Sequence, residues 1–210
     1  MDESIKRTEC SRLGDFVAAM PCQASKEQGD MAKPRLATCS LAGCFGCHMS
    51  LLDIDERLLE LVDLVDFDRS PFDDKKEFDC MVDIGLVEGG CSSEHNVHVL
   101  KQFRKHCKLL VSVGACAITG GVPAMRNLVS LRECLEEAYL NGPTVAPGAV
   151  IPNDEDLPRL LDRVYPCHEV VKIDCFLPGC PPSADAIWQC LKDLLAGKHI
   201  SLPYQLLKYE

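Results

Sequence analysis

Cys44 and Cys47 stand two residues apart in "GCFGC". Two thiols at that spacing can serve as a redox dithiol, as half of a zinc site or as half of an iron–sulfur site. A dithiol would work alone, exposed at a helix start. A metal needs further donors, and those must come from elsewhere in the chain.

The surrounding patterns say which donors are available. "RLATCSL" (35–41) reads as a short apolar strand, with "AGCFGC" as the loop behind it. Residues 48–63 then repeat apolar side chains in a helical rhythm. A second strand is expected in 64–69 and a third at 81–87. The segment 92–107 reads as a helix, with Ser and Glu at its start and Lys, Arg and His at its end. "KLLVSVGACA" (108–117) is the clearest strand, and 123–140 reads as a helix with Pro123 in its first turn. A long loop is expected over 141–158, a last strand within 169–182 and a closing helix over 183–196.

Strands and helices alternating at this spacing predict an α/β fold: a flavodoxin-like three-layer sandwich with a mainly parallel sheet. The expected domain runs over 34–210. Residues 1–33, polar and mixed in charge, form an N-terminal extension with a helical stretch near 13–20.

In open sheets of this kind, ligands bind beyond the carboxyl ends of the strands. Cys44 and Cys47 follow the first strand, Cys116 follows "KLLVSV" and Cys180 follows "VVKIDCFL". Three separate loops thus send four thiols to one edge, and Glu88 ends a strand there too. Four thiolates suit zinc or a cubane iron–sulfur cluster. Zinc ribbons and knuckles draw on two close pairs, whereas here one pair is close and two ligands are single. Spacing therefore favours 4Fe-4S, with zinc still open. Pro181 directly after Cys180 resembles the Cys-Pro ending of some ferredoxin ligand runs. Glycines at 43, 46, 114, 120, 121 and 179 would let backbone approach a cluster closely.

The whole chain has 210 residues, enough to fold as one domain without cross-links. Its 14 cysteines are too many to be explained by stability, and too few for a disulfide scaffold of this length. The N-terminal stretch carries charges where a secretory signal needs an apolar core, so a cytoplasmic protein without a membrane span is expected. The net charge of −10, without a basic cluster, argues against nucleic-acid binding.

"CFGCHMSLLDIDERLL", "GLVEGGCSSEHN", "LVSVGACAITGGVPAMRN" and "YPCHEVVKIDCFLPGCPPSADAI" together resemble the small subunit of nickel–iron hydrogenases, of the cytoplasmic bidirectional NAD-reducing type. The resemblance runs over about 34–207. It implies a flavodoxin-like domain holding one proximal 4Fe-4S cluster through Cys44, Cys47, Cys116 and Cys180. It also implies two kinds of partner: a nickel–iron large subunit, and diaphorase subunits carrying flavin, iron–sulfur clusters and an NAD(H) site. The implied reaction is H2 + NAD+ = NADH + H+, with this subunit as electron relay and no nickel site of its own. No second ligand set follows Cys180, so one cluster is expected. The related quinone-reductase subunit of respiratory complex I has adjacent cysteines at the first motif, where this chain has Cys-x-x-Cys. A complex I-like cluster subunit and a non-catalytic iron–sulfur or zinc module are the alternatives.

Some nearby side chains could assist a cluster. Asp53 and Glu56, on the helix after Cys47, and Glu88 could take up a proton or offer oxygen to iron. The plainer reading of "DIDER" is a solvated helix face. His48 and His168 could donate N–H to the cluster, or be ordinary hydrogen-bonded histidines. Most remaining cysteines lie in apolar patterns where Cys packs as a small hydrophobe. Cys10 and Cys22 have no assigned role. An FMN at the sheet edge is not licensed by fold alone, and a cluster would compete for its space.

Overall fold

The computed structural model describes residues 33–207; the extension expected at 1–33, with its helix near 13–20 and with Cys10 and Cys22, lies outside them except for Lys33. In chain order the elements begin with β1 (Arg35–Ser40), α1 (Gly46–Leu52), α2 (Arg57–Leu64), β2 (Asp66–Phe67), β3 (Val82–Glu88) and β4 (Cys91–Ser93). Next come α3 (Glu94–His106), β5 (Cys107–Val113), α4 (Gly114–Thr119) and α5 (Leu131–Glu136). The last are β6 (Leu160–Tyr165), α6 (Cys167–Val170), β7 (Cys175–Leu177) and α7 (Ala184–Leu195).

Five strands pair in the order β2-β1-β3-β5-β7, all parallel. That is the expected flavodoxin-like order. The central strands are buried at consecutive positions, as happens when helices cover both faces. On one face Leu51, Ile54 and Leu61 meet Ile187, Trp188 and Leu191 of α7. On the other, Leu100 and Phe103 of α3 pack with Val82, Leu110 and the buried Cys39, Cys91, Cys107 and Cys167. Full burial of Leu100 and Phe103 contributes about 1.5–3 kcal/mol each.

The register matters most for function. Ser40 lies opposite Glu88, Glu88 opposite Val113, and Val113 opposite Leu177. Four strands therefore end in one row, and the loops that follow start from a common rim.

Helix ends follow local chemistry. The Ser93 hydroxyl accepts the Asn96 N–H at 3.2 Å, and Arg104, Lys105 and His106 close α3. Arg104 also donates to Asp174 at 2.5 Å and to the Cys107 carbonyl at 2.6 Å, while Asp174 accepts the Leu110 N–H at 2.8 Å. This clamps the end of α3 to the approach to β7.

Several boundaries differ from the periodicity reading. The helix expected over 48–63 is two helices, because Asp55 turns left-handed (φ 56°) while Ile54 drops into the core. Aspartate tolerates that conformation better than most residues. The helix expected over 123–140 begins as a 3-10 turn at Val122–Leu128, and Val129 is extended before α5 starts afresh. Ser130 and Glu133 cap that new start reciprocally, then a π turn spans Glu137–Asn141. The strand expected in 169–182 is only Cys175–Leu177, with α6 before it. The antiparallel pair β4–β6 had no clear signature: β4 has three residues, and two of them fall inside the 92–107 range read as helix.

Gly85 gives a direct test of the packing. A Cβ there would lie 2.6 Å from the Cys107 sulfur and 2.9 Å from Leu110 Cδ1. Gly85→Ala should lower stability to urea by about 1–3 kcal/mol. Adding Cys107→Ala should recover part of that loss; no loss in the single variant would show that the two strands pack less closely than described.

Candidate metal centre

Cys44 and Cys47 flank Phe45, whose left-handed backbone (φ 67°) turns the chain out of the β1 loop and into α1. Cys116 lies on α4, directly after β5, and Cys180 lies in the loop after β7. Three contacts tie these loops together. The Ala115 N–H donates to the Gly179 carbonyl at 2.7 Å, and the Ser50 hydroxyl donates to the Pro182 carbonyl at 2.6 Å. At Gly114, a Cβ would stand 2.3 Å from the Cys47 sulfur, so only glycine fits there. Its φ of +83° also favours glycine. A Cβ on Gly121 would stand 2.9 Å from the Cys116 sulfur.

The four thiols named from the sequence thus share one rim. Cys44 and Cys180 are exposed, and Cys47 and Cys116 partly so. They also act on one another electrically. Burial pushes the Cys47 thiol well up, and negative charge at Glu88, Cys116 and Cys44 pushes it further. Burial likewise raises Cys116, opposed by the Val122 N–H and reinforced by Cys180, Cys44 and Glu88. Thiolates crowded in this way call for positive charge between them, which a metal centre supplies.

The donor set and the glycine cradle fit an iron–sulfur cubane. Among the described residues, no three His, Cys, Asp or Glu side chains are spaced to hold a single metal ion. Zinc needs its four sulfurs drawn tightly around one atom at about 2.3 Å. A cubane puts each thiolate on its own iron at a separate corner, and so takes a wider set.

Behind Cys47 lies a buried polar group. Glu88, 3% exposed, ends β3. Its Oε1 accepts the Ser40 hydroxyl at 2.9 Å, and its Oε2 accepts the His48 backbone N–H at 2.8 Å. Burial alone would raise this carboxyl; His48 and Ser40 outweigh it, and the net direction is down. The His48 Nδ1 is 3.0 Å from Oε2. Its ring stacks on Phe45 at 4.8 Å and meets Phe72 edge-on.

The other candidates are placed apart. Asp53 and Glu56 are exposed in the turn after α1, while Cys47 is at its start. That turn is roughly 9 Å along the helix axis from Cys47. His168 is exposed on α6, edge-on to Phe176. Cys167 is fully buried and points its thiol at the Gly89 carbonyl, 3.3 Å away. Sequence reasoning missed Ser40 and Phe45. Ser40 has a retrievable signal, since in parallel register the last residue of β1 faces the last of β3.

Comparison with known proteins adds an independent finding. The family model for "NADH ubiquinone oxidoreductase, 20 Kd subunit" matches residues 44–194. The delta subunit of the NAD-reducing hydrogenase HoxS of Cupriavidus necator is 50% identical over 192 residues, 90% of each chain. A subunit of the F420-non-reducing hydrogenase of Methanothermobacter marburgensis is 38% identical over 173 residues, covering 81% of this chain and 56% of that one. This chain therefore spans little more than half of that archaeal protein. Among solved structures, a chain of an NAD+-reducing [NiFe]-hydrogenase in the H2-reduced state superposes with a TM-score of 0.82. It is 50% identical, with 85% of this chain and 99% of that one covered.

Glu88→Ala would strand the Ser40 hydroxyl and the His48 N–H, and should cost about 1–3 kcal/mol in urea unfolding of the metal-free chain. The pH dependence has a definite sign. A carboxyl held below its ordinary range stabilises above that range, and the contribution is lost as pH falls through the lower folded value. The stability gap between the parent and Glu88→Gln should therefore narrow on acidification below the ordinary carboxylate range. A gap that widened there would contradict the assigned contacts.

Proposed function

Because the chain belongs to the family of the NADH ubiquinone oxidoreductase 20 kDa subunit and of hydrogenase small subunits, we propose that it carries electrons through one proximal 4Fe-4S cluster. It is the small subunit of an oxidoreductase of the NAD-reducing nickel–iron hydrogenase type. In this reading it stands between a nickel–iron large subunit and diaphorase subunits, within the reaction H2 + NAD+ = NADH + H+.

The observation that carries the reading is the convergence of four cysteines from three loops on one sheet rim, with glycine backbone against two of the sulfurs. Cys44, Cys47, Cys116 and Cys180 are the proposed ligands. When bound, a cluster supplies a one-electron relay. The chain's residues set its surroundings. Gly114 and Gly121 leave the space that Cys47 and Cys116 occupy, so backbone can approach the sulfurs. Ser40 and the His48 N–H hold Glu88 in place behind Cys47. Asp53, Glu56 and His168 receive no role in this reading.

A relay must also meet its donor closely. Directly after Cys116 the chain exposes Val122, Met125 and Leu128, which are 69%, 65% and 86% accessible. Large apolar side chains left in solvent beside a candidate site mark a protein interface. We assign this face to the large subunit. No helix among the described residues is long and apolar enough to cross a membrane.

Three measurements test the reading. The purified complex should contain iron, acid-labile sulfide and nickel; zinc at one per chain without iron would overturn the cluster. Cys116→Ser should abolish H2-dependent NAD reduction while leaving hydrogen activation on the partner measurable, and normal NAD reduction would remove Cys116 from the ligand set. Met125→Glu with Leu128→Glu should leave the chain folded but reduce nickel copurifying with it by roughly tenfold, as loss of an interface contact of about 1.4 kcal/mol implies.

A further inference from the structure

None of the seven residues in the 3-10 turn Val122–Leu128 is buried. Runs of this geometry longer than three or four residues are uncommon, because their hydrogen bonds are poorly aligned. Neither apolar burial nor the turn's own bonds therefore explain what holds the segment in place. Two adjacent polar side chains do.

The Asn127 side chain carries a donor and an acceptor, as a peptide group does. Its Nδ2 donates to the Val164 carbonyl at 2.9 Å, and its Oδ1 accepts the Val164 N–H at 2.7 Å. Among the described residues β6 pairs with β4 alone, so Asn127 takes the place of a strand on β6. Arg126 donates from Nη2 to the Ser92 and Leu161 carbonyls, at 3.2 and 2.8 Å, and from Nη1 to the Asp162 carbonyl at 3.3 Å. One guanidinium fork thus bridges both strands of the pair.

The other end of the segment meets a candidate ligand. A Cβ on Gly121 would stand 2.9 Å from the Cys116 Cα and 3.0 Å from its nitrogen, besides its contact with the sulfur. Backbone therefore packs on backbone at this point. The Val122 N–H is close enough to the Cys116 sulfur to oppose the rise that burial gives the thiol. The β4–β6 pair is itself tied to the rim. The Ala42 N–H donates to the Gly90 carbonyl at 3.0 Å, and the Gly90 N–H to the Ala42 carbonyl at 2.8 Å. These bonds join the start of β4 to the loop that carries Cys44.

We propose that Arg126 and Asn127 are positioning residues: by bonding the backbone of β4 and β6 they keep the Val122 N–H on the Cys116 sulfur, and so raise the potential of a cluster bound through it. The inference rests on the cluster reading above. An N–H aimed at a ligand sulfur favours the more negative, reduced state, so withdrawing it makes a cluster harder to reduce.

The test uses the purified complex, with the EPR signal that Cys116→Ser removes identifying the cluster. Asn127→Ala deletes both bonds to Val164, and Arg126→Lys loses the fork that spans three carbonyls. Both keep the net charge, so a changed potential reports position. In redox titration each variant should hold the cluster's electron roughly threefold to tenfold less tightly, tenfold being about 59 mV for a one-electron couple. Arg104→Lys makes the same exchange in the clamp between α3 and Asp174, and should leave the potential unchanged. Amide hydrogen exchange at 121–128 should quicken several-fold in both variants, with β3 unchanged. An unchanged potential in Asn127→Ala, an equal shift in Arg104→Lys or unchanged exchange at 121–128 would overturn the proposal. Where Asn127→Ala leaves no loaded complex to titrate, Arg126→Lys decides by the same criterion. A complex in which no 4Fe-4S signal depends on Cys116 would instead overturn the cluster reading, and this proposal with it.

Discussion

All five strands of the main sheet run in the same direction, and hydrogen-bond register aligns their ends. Ser40, Glu88, Val113 and Leu177 stand in one row across β1, β3, β5 and β7. A parallel ladder cannot shift one strand by a residue without turning its side chains over, because successive residues face opposite layers. The burial of both faces makes such a slip prohibitive here. The row is therefore rigid, and three loops start from it within reach of one another. Every feature of the candidate centre depends on this alignment.

The rim also gathers groups that repel one another. Cys47 is raised first by burial, then by Glu88, Cys116 and Cys44; Cys116 is raised by burial, then by Cys180, Cys44 and Glu88. The fold holds them there through bonds that do not involve the thiols. Ala115 to Gly179 and Ser50 to Pro182 join the three loops through backbone carbonyls. Glu88 is held in turn by Ser40 and the His48 N–H. A site assembled by its scaffold can accept a cofactor without first ordering its ligands, which is the advantage of placing it on strand ends.

Two exposed apolar surfaces lie in different parts of the fold. The Val122–Leu128 face follows Cys116 and α4 along the chain. The α2 face, at Leu59 and Val62, lies beyond the turn at Asp53–Glu56, which separates it from the cysteines. That turn exists because Asp55 breaks what the hydrophobic rhythm reads as one long helix. The same break puts the "DIDER" carboxylates in solvent, in line with the plain reading of that run as a polar surface.

Much of the fold could be read from the sequence, because alternating strand and helix patterns with glycine-rich ends allow few parallel arrangements. The thiols at 44, 47, 116 and 180 were legible for that reason: each follows a strand, and strand ends share an edge. The four motifs that resemble nickel–iron hydrogenase small subunits pointed to the family that the comparisons show. Local periodicity could not resolve the break at Asp55, the restart at Ser130 or the short pair β4–β6. Each depends on where Ile54, Glu133 or Cys91 must go once the layers are packed. It could not reveal the Ser40–Glu88–His48 contacts either, since these join residues 40 to 48 positions apart. Sequence determined which thiols follow the strands and which edge they share, because strand direction and period are local properties. Tertiary structure alone decided which of them touch, because contact depends on register between strands distant along the chain.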